Sequence, residues 1–291
     1  MIRAFWNRLK LNLRAIRLAS CGKWLRAQDV AASYDTISAT YDQRWLVHLQ
    51  TTTDRLHEQL PNALPDHGTI IELGCGSGHS TAYLQRKYPG VTIHAVDISP
   101  GMIEQAKKKI VTPIRAVEFH CGDMLEFLQK RQERESALIF SGWAIGYSDP
   151  AAIIQEAARV LVPGGTMAVI VNRLGTMPAV FDTFRKTMRQ FPETLNKAIW
   201  PRFPKSKNTI EPILRRNAFE IERLEESVTP IMPPPNNRLD WLLGTGVLAG
   251  FDTVLPLRES GGVRDFFASE LDDALSGWEH RAIMFIAKRP K

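Results

Sequence analysis

Short apolar runs punctuate the chain, separated by stretches in which apolar residues recur every three or four positions. Gly68-Thr69-Ile70-Ile71 is apolar on both faces and predicts a buried parallel strand. Val91 to Val96, Ala116 to Cys121, Ala137 to Phe140 and Thr166 to Val171 predict further strands, with a tight turn at Leu161-Val162-Pro163-Gly164-Gly165 before the last. His79 to Tyr88 predicts a helix. Another opens at Ile98-Ser99-Pro100-Gly101-Met102, with Ser99 as N-cap and Pro100 in the first helical position. Downstream, Pro178 to Ala198 predicts a helix with a break at Pro192. Trp200 to Pro204 predicts a loop, Asn208 to Arg216 a helix, Phe219 to Ser227 an alternating strand and Arg281 to Lys288 the last strand. Pro233-Pro234-Pro235 must be extended, because proline fixes its own φ and donates no hydrogen bond. Trp241 to Leu257 is unusually apolar, loosened by Gly244, Gly246 and Gly250.

The first strand ends in Glu72-Leu73-Gly74-Cys75-Gly76-Ser77-Gly78, directly before a helix. A strand, a glycine turn and a helix N-terminus let backbone come unusually close to a ligand. A dinucleotide fingerprint needs Gly-x-Gly-x-x-Gly. Here the third glycine comes one residue early, and His79 holds its place. The pattern Glu-x-Gly-x-Gly-x-Gly resembles the first motif of class I S-adenosylmethionine (SAM)-dependent methyltransferases. The second strand ends at Asp97, nineteen positions after Gly78. An acid there can accept from both hydroxyls of a ribose. Gly122-Asp123-Met124, Ser141-Gly142-Trp143 and the Pro163-Gly164-Gly165 turn echo later motifs of the family in order. The resemblance spans roughly Tyr34 to Asn172, about half the chain. Tyr34-Asp35 and Tyr41-Asp42 repeat a pair seven residues apart, which helical geometry would bring onto one face. That segment is similar to the one preceding the core in ubiquinone and menaquinone biosynthesis methyltransferases, which act on small molecules.

The resemblance implies an α/β, Rossmann-like class I methyltransferase fold. It has a seven-stranded, mostly parallel sheet with an antiparallel last strand and helices on both faces. It implies SAM as cofactor and S-adenosylhomocysteine as product. Tyr34 and Tyr41 would lie over the cofactor, and Glu72 would organise the turn around Gly74, Cys75, Gly76 and Gly78. Asp97 would hold the ribose, with Ile98 or Met102 flanking the adenine. Asp123 would accept from the adenine amino group, Met124 would donate through its backbone, and Ser141 would complete the set. A sulfonium favours aromatic neighbours, for which Tyr34, Tyr41 and Trp143 are candidates.

Composition changes the picture in two places. Three widely spaced cysteines, Cys21, Cys75 and Cys121, form no CxxC pair. They argue against a disulfide framework or a structural zinc, and for a reducing, cytoplasmic compartment. No metal site is expected. The net charge of +6 is concentrated at the start: residues 1–28 hold Arg3, Arg8, Lys10, Arg14, Arg17, Lys23 and Arg26 and no acid, leaving thirty basic residues against 31 acids. Ile2, Phe5, Trp6, Leu9, Leu13 and Ile16 share one face of a helix, with Arg3, Lys10, Arg14 and Arg17 on another. The segment therefore reads as a lid packed on the catalytic domain, as a peripheral contact with a membrane surface, as a targeting peptide or as an RNA-contacting arm. The near-neutral body and the lack of an Asn/Asp-Pro-Pro-Tyr/Phe motif argue against nucleic acid.

The chain is thus expected to comprise a basic helix at 1–28, cap helices at 29–66, a SAM-binding core at 67–172 and substrate-side additions at 173–291. A small, hydrophobic or aromatic acceptor is the leading expectation. An RNA methyltransferase and a catalytically silent, membrane-associated SAM-fold partner are the alternatives. No catalytic base is assigned. Tyr147, after the fourth strand, and His79, at a helix N-terminus where positive charge is disfavoured, are the weak candidates. His94 and His120 read as structural, and His67 as a solvated turn residue.

Overall fold

The computed structural model describes residues 2–65, 68–110, 117–199 and 202–291, with side chains from Phe5 onward. Ala116, His67, the Trp200-Pro201 pair and the side chains of Ile2 and Arg3 lie outside the described residues. The chain divides into two compact units. The sheet unit comprises Leu46–Leu174, Arg202–Thr229 and Arg281–Lys291; the helical unit comprises Met1–Trp45, Gly175–Pro201 and Pro230–His280.

The sheet is built from β1 (Thr69–Leu73), β2 (Ile93–Asp97), β3 (Val117–Cys121), β4 (Ser136–Gly142), β5 (Leu161–Asn172), β6 (Glu220–Pro230) and β7 (Glu279–Lys288). Its order is β3-β2-β1-β4-β5-β7-β6. β1 runs parallel to β2 and β4, β2 to β3, and β4 to β5; β7 is antiparallel to β5. The period-2 alternation of strands sorts side chains onto two faces. Ile71, Leu73, Ile139 and Val169 join one apolar cluster, while Ile70, Leu138, Phe140 and Ile170 join the other. Helices α3 (Val47–Glu58), α4 (His79–Lys87), α5 (Pro100–Lys109), α6 (Met124–Gln129), α7 (Pro150–Val160) and α9 (Lys207–Arg216) belong to the same unit.

The predicted turn at Pro163-Gly164-Gly165 is instead taken into β5. Gly164 N–H donates to the Arg289 carbonyl and Arg289 N–H to the Gly165 carbonyl, both at 2.9 Å. A partner more than a hundred residues away supplies the ladder bonds that make this segment a strand. The register slips there, Ser136 facing Leu161 while Leu138 faces Thr166.

The helical unit contains α1 (Ile2–Ser20), α2 (Ala27–Ile37), α8 (Pro178–Gln190), α10 (Arg238–Leu243) and α11 (Gly262–Asp272). Pro192 does break the predicted helix: a single tight turn, Pro192–Thr194, follows α8. The remainder up to Ala198 is not helical, because Ala198 N–H donates to the Lys23 carbonyl at 2.8 Å and its carbonyl accepts from Leu25 N–H at 2.9 Å. The predicted Tyr-Asp helix also ends early, at Ile37. Even so, the Tyr34 and Tyr41 rings meet edge to face with centroids 6.0 Å apart. The apolar run after Trp241 fills this unit's own interior: Leu242, Leu248, Val254, Leu255 and Leu257 are buried there.

Candidate cofactor site

The site grows from the C-terminal end of β1. Gly74, Gly76 and Gly78 all have left-handed backbone, with φ of +75°, +52° and +84°. Side chains would cost strain at each, but the space around them differs. A Cβ on Gly74 would lie 2.1 Å from Ala144 Cβ, and one on Gly78 would lie 2.8 Å from Ala106 Cα in α5. A Cβ on Gly76 would meet nothing within 4 Å. Two of the glycines thus pack the loop against protein, and the middle one faces open space.

Asp97, at the tip of β2, ties this loop to its neighbours. Its Oδ2 accepts from Gly76 N–H at 2.8 Å and its Oδ1 from Ser99 N–H at 2.9 Å. Its backbone carbonyl accepts from Gly122 N–H at 2.9 Å, bringing in the loop before Asp123. Ser99 caps α5 as predicted, its hydroxyl accepting from Met102 N–H at 3.1 Å. Met102 is buried and Ile98 half-buried. The Asp123 Oδ1 caps α6, accepting from the amides of Leu125 and Glu126 at 2.8 and 3.0 Å, with Met124 the first residue of that helix. Ser141 lies buried in β4 and donates to the Leu73 carbonyl at 2.7 Å.

Two ionisable groups at the turn are buried. Glu72 is buried on the face that carries α4, and Thr81 Oγ1 donates to its Oε2 at 2.6 Å. Burial pushes its carboxyl up to about 8. Burial likewise raises the Cys75 thiol, which makes it an inert filler rather than a nucleophile.

His79 sits in the first turn of α4, where its Nε2 lies 3.1 Å from Asp54 Oδ1. His57 Nδ1 lies 3.3 Å from the same oxygen, and its Nε2 is 2.9 Å from Ser80 Oγ. Burial, followed by the His79 charge, lowers His57 to about 4. Reading the chain missed this cluster, although the Asp54/His57 spacing on one helix was a usable signal. Trp143, at the end of β4, is a non-glycine residue at φ +71°, and its indole N–H donates to Thr53 Oγ1 at 2.9 Å. Tyr147 is half-buried, its ring edge to face with Phe203 at 5.9 Å. His94 and His120 lie on adjacent strands with ring nitrogens 3.2 Å apart, beside Glu118. All of these residues belong to the sheet unit, and Tyr34 and Tyr41 belong to the helical unit.

Residues 70–165 match the family model described as a methyltransferase domain. That segment is a methyltransferase domain. It is 33% identical over 156 residues to a malonyl-[acyl-carrier protein] O-methyltransferase of Dechloromonas aromatica, covering 54% of this chain and 53% of that protein. It is 25% identical over 217 residues to a trans-aconitate 2-methyltransferase of Azoarcus sp., covering 71% and 79%. The chain thus spans about half the length of the first of these relatives. A solved structure described as a methyltransferase from Bacillus halodurans C-125 shares the fold, with a TM-score of 0.51, 17% identity and coverage of 82% of this chain and 98% of that one. In this methyltransferase domain, the glycine turn, Asp97 and the Asp123 loop meet at the carboxyl ends of parallel strands, the edge where open α/β sheets bind ligands.

Proposed function

We propose that the chain transfers a methyl group from SAM to a small organic acceptor, and that the acceptor is a carboxylate. The observation that carries the first part is the turn itself: left-handed backbone at three alternate glycines, with open space at Gly76 beside an Asp97-held amide. In this reading Gly76 lets backbone close on the cofactor. Asp97 holds the ribose while fixing the loop, and Ile98 and Met102 flank the adenine. Asp123 meets the adenine amino group, and Met124 offers its helix-start amide. Cys75 and Ser141 complete the proposed set, and Glu72 supports the turn.

When bound, SAM supplies a methyl group on a positively charged sulfur. The acceptor oxygen forms the new O–C bond as the C–S bond breaks in line, and the bonding pair leaves on sulfur. A protein promotes such a step mainly by alignment, worth several kcal/mol. A carboxylate is already ionised at neutral pH, so no proton has to be removed. That suits a site whose most buried histidine, His57, is a weak base at about 4. Both relatives described above carry names that specify acid acceptors. The hydrophobic acceptor expected from residues 241–257 has weaker support, because that run is spent on packing. A peripheral membrane role for residues 1–28 belongs to the same proposal, as placement of the chain rather than chemistry.

Incubation with methyl-labelled SAM and a panel of dicarboxylic acids, acyl thioesters, phenols and quinones tests the reading. We expect label in a product that mild alkali releases as methanol, the behaviour of a methyl ester. Alkali-stable label on a phenol or quinone would restore the hydrophobic acceptor. Label confined to RNA would overturn the small-molecule reading.

A further inference from the structure

We propose that α1 is an interfacial anchor that lies on anionic lipid bilayers through a solvent-facing stripe of Phe5, Trp6, Leu9, Leu13 and Ile16. The helix is docked the opposite way round from a lid. Its narrow face, carrying Leu11, Ala15 and Leu18, turns inward; Leu18 is buried, and Arg14 Nε donates to the Leu195 carbonyl at 3.0 Å. The wide apolar face is left out. Phe5 and Ile16 are 66% exposed, Leu13 59%, Trp6 54% and Leu9 40%. The residues following the helix are pinned as well, by the paired bonds between Lys23, Leu25 and Ala198. Folding the stripe inward would break those contacts.

The stripe occupies about three turns of a 19-residue helix about 28 Å long. Exposed Lys10 and Arg17 border it on one side and Arg8 on the other. Residues 1–28 contain no acid. Five large apolar side chains, two of them aromatic, between rows of cations match a headgroup boundary, where rings and chains enter the acyl region and cations meet lipid phosphates. No helix among the described residues is long and apolar enough to cross a membrane, so the contact lies in the plane of the surface. Charge complementarity selects an anionic surface over a neutral one, each basic residue near it strengthening partition by about fivefold.

The test is co-sedimentation of the full chain with vesicles of phosphatidylcholine alone or with about one-third phosphatidylglycerol, at low and high salt. The variants are Leu9→Glu/Leu13→Glu and Lys10→Glu/Arg17→Glu, all at exposed positions, with circular dichroism confirming the fold. We expect binding to anionic vesicles at least tenfold stronger than to neutral ones. Either variant should weaken it at least tenfold, while SAM binding measured separately is unchanged. Equal partition of wild type and both variants would overturn the proposal. So would a concentration-dependent dimer abolished by Leu9→Glu/Leu13→Glu without any vesicle binding, which would assign the stripe to a second copy.

Discussion

The Asp97 carboxylate holds the Gly76 amide at 2.8 Å and the Ser99 amide at 2.9 Å, one oxygen to each. A single side chain therefore sets the spacing between the glycine loop and the start of α5. Hydrogen bonds from neutral donors to a charged acceptor are the stronger kind, worth ~1.5–3 kcal/mol. Asp97→Ala should leave both amides without that partner. It is expected to lower stability by about 2 kcal/mol in urea denaturation. Asp97→Asn can keep one acceptor and should lose roughly half as much.

The three glycines should separate packing from ligand clearance. Gly74→Ala adds a Cβ 2.1 Å from Ala144 Cβ at φ +75°, and about 3 kcal/mol of destabilisation is expected. Gly76→Ala meets open space, so only the left-handed strain of ~1–2 kcal/mol applies. If Gly76 faces the cofactor, its alanine variant should nonetheless lose SAM affinity more than tenfold. Thermal melts with and without SAM separate the two effects.

Part of this was readable in the chain because it is local. The strand, glycine turn and helix, the Ser99 cap and Asp97 at its strand tip are each encoded within a few residues. The strand status of Pro163 to Gly165 was not, because its bonding partner is Arg289. Nor was the Asp54–His57–His79 cluster, which needs two helices to meet. Helical spacing showed which residues of α1 share a face. It could not show that the wide apolar face is the one turned outward, because that depends on what the narrow face docks against.

Glu72 gives the pH signature. Its carboxyl is raised to about 8 in the folded chain from an ordinary value of 4.5. The native state thus holds a proton that the unfolded state has lost between those values. Its contribution is fully present below about pH 4.5 and is lost as pH rises through 8, at ~1.4 kcal/mol per unit. Glu72→Gln stays neutral and should gain stability relative to wild type across that window, by a few kcal/mol in all. Parallel urea titrations at pH 5, 6.5 and 8 measure it. A constant difference would mean that Glu72 is ionised when folded.

Trp143 holds backbone at φ +71°, and its indole donates to Thr53 Oγ1 at 2.9 Å. Thr53→Val removes the acceptor while keeping shape. A loss of ~1 kcal/mol is expected in chemical denaturation, because the half-buried indole N–H loses this acceptor.

The most direct measurement of the central claim is calorimetric titration of SAM into wild type and Asp97→Ala. The account predicts one SAM per chain for wild type, and at least tenfold weaker binding for the folded variant. No binding by wild type at millimolar SAM, or equal affinity in the two, would contradict it.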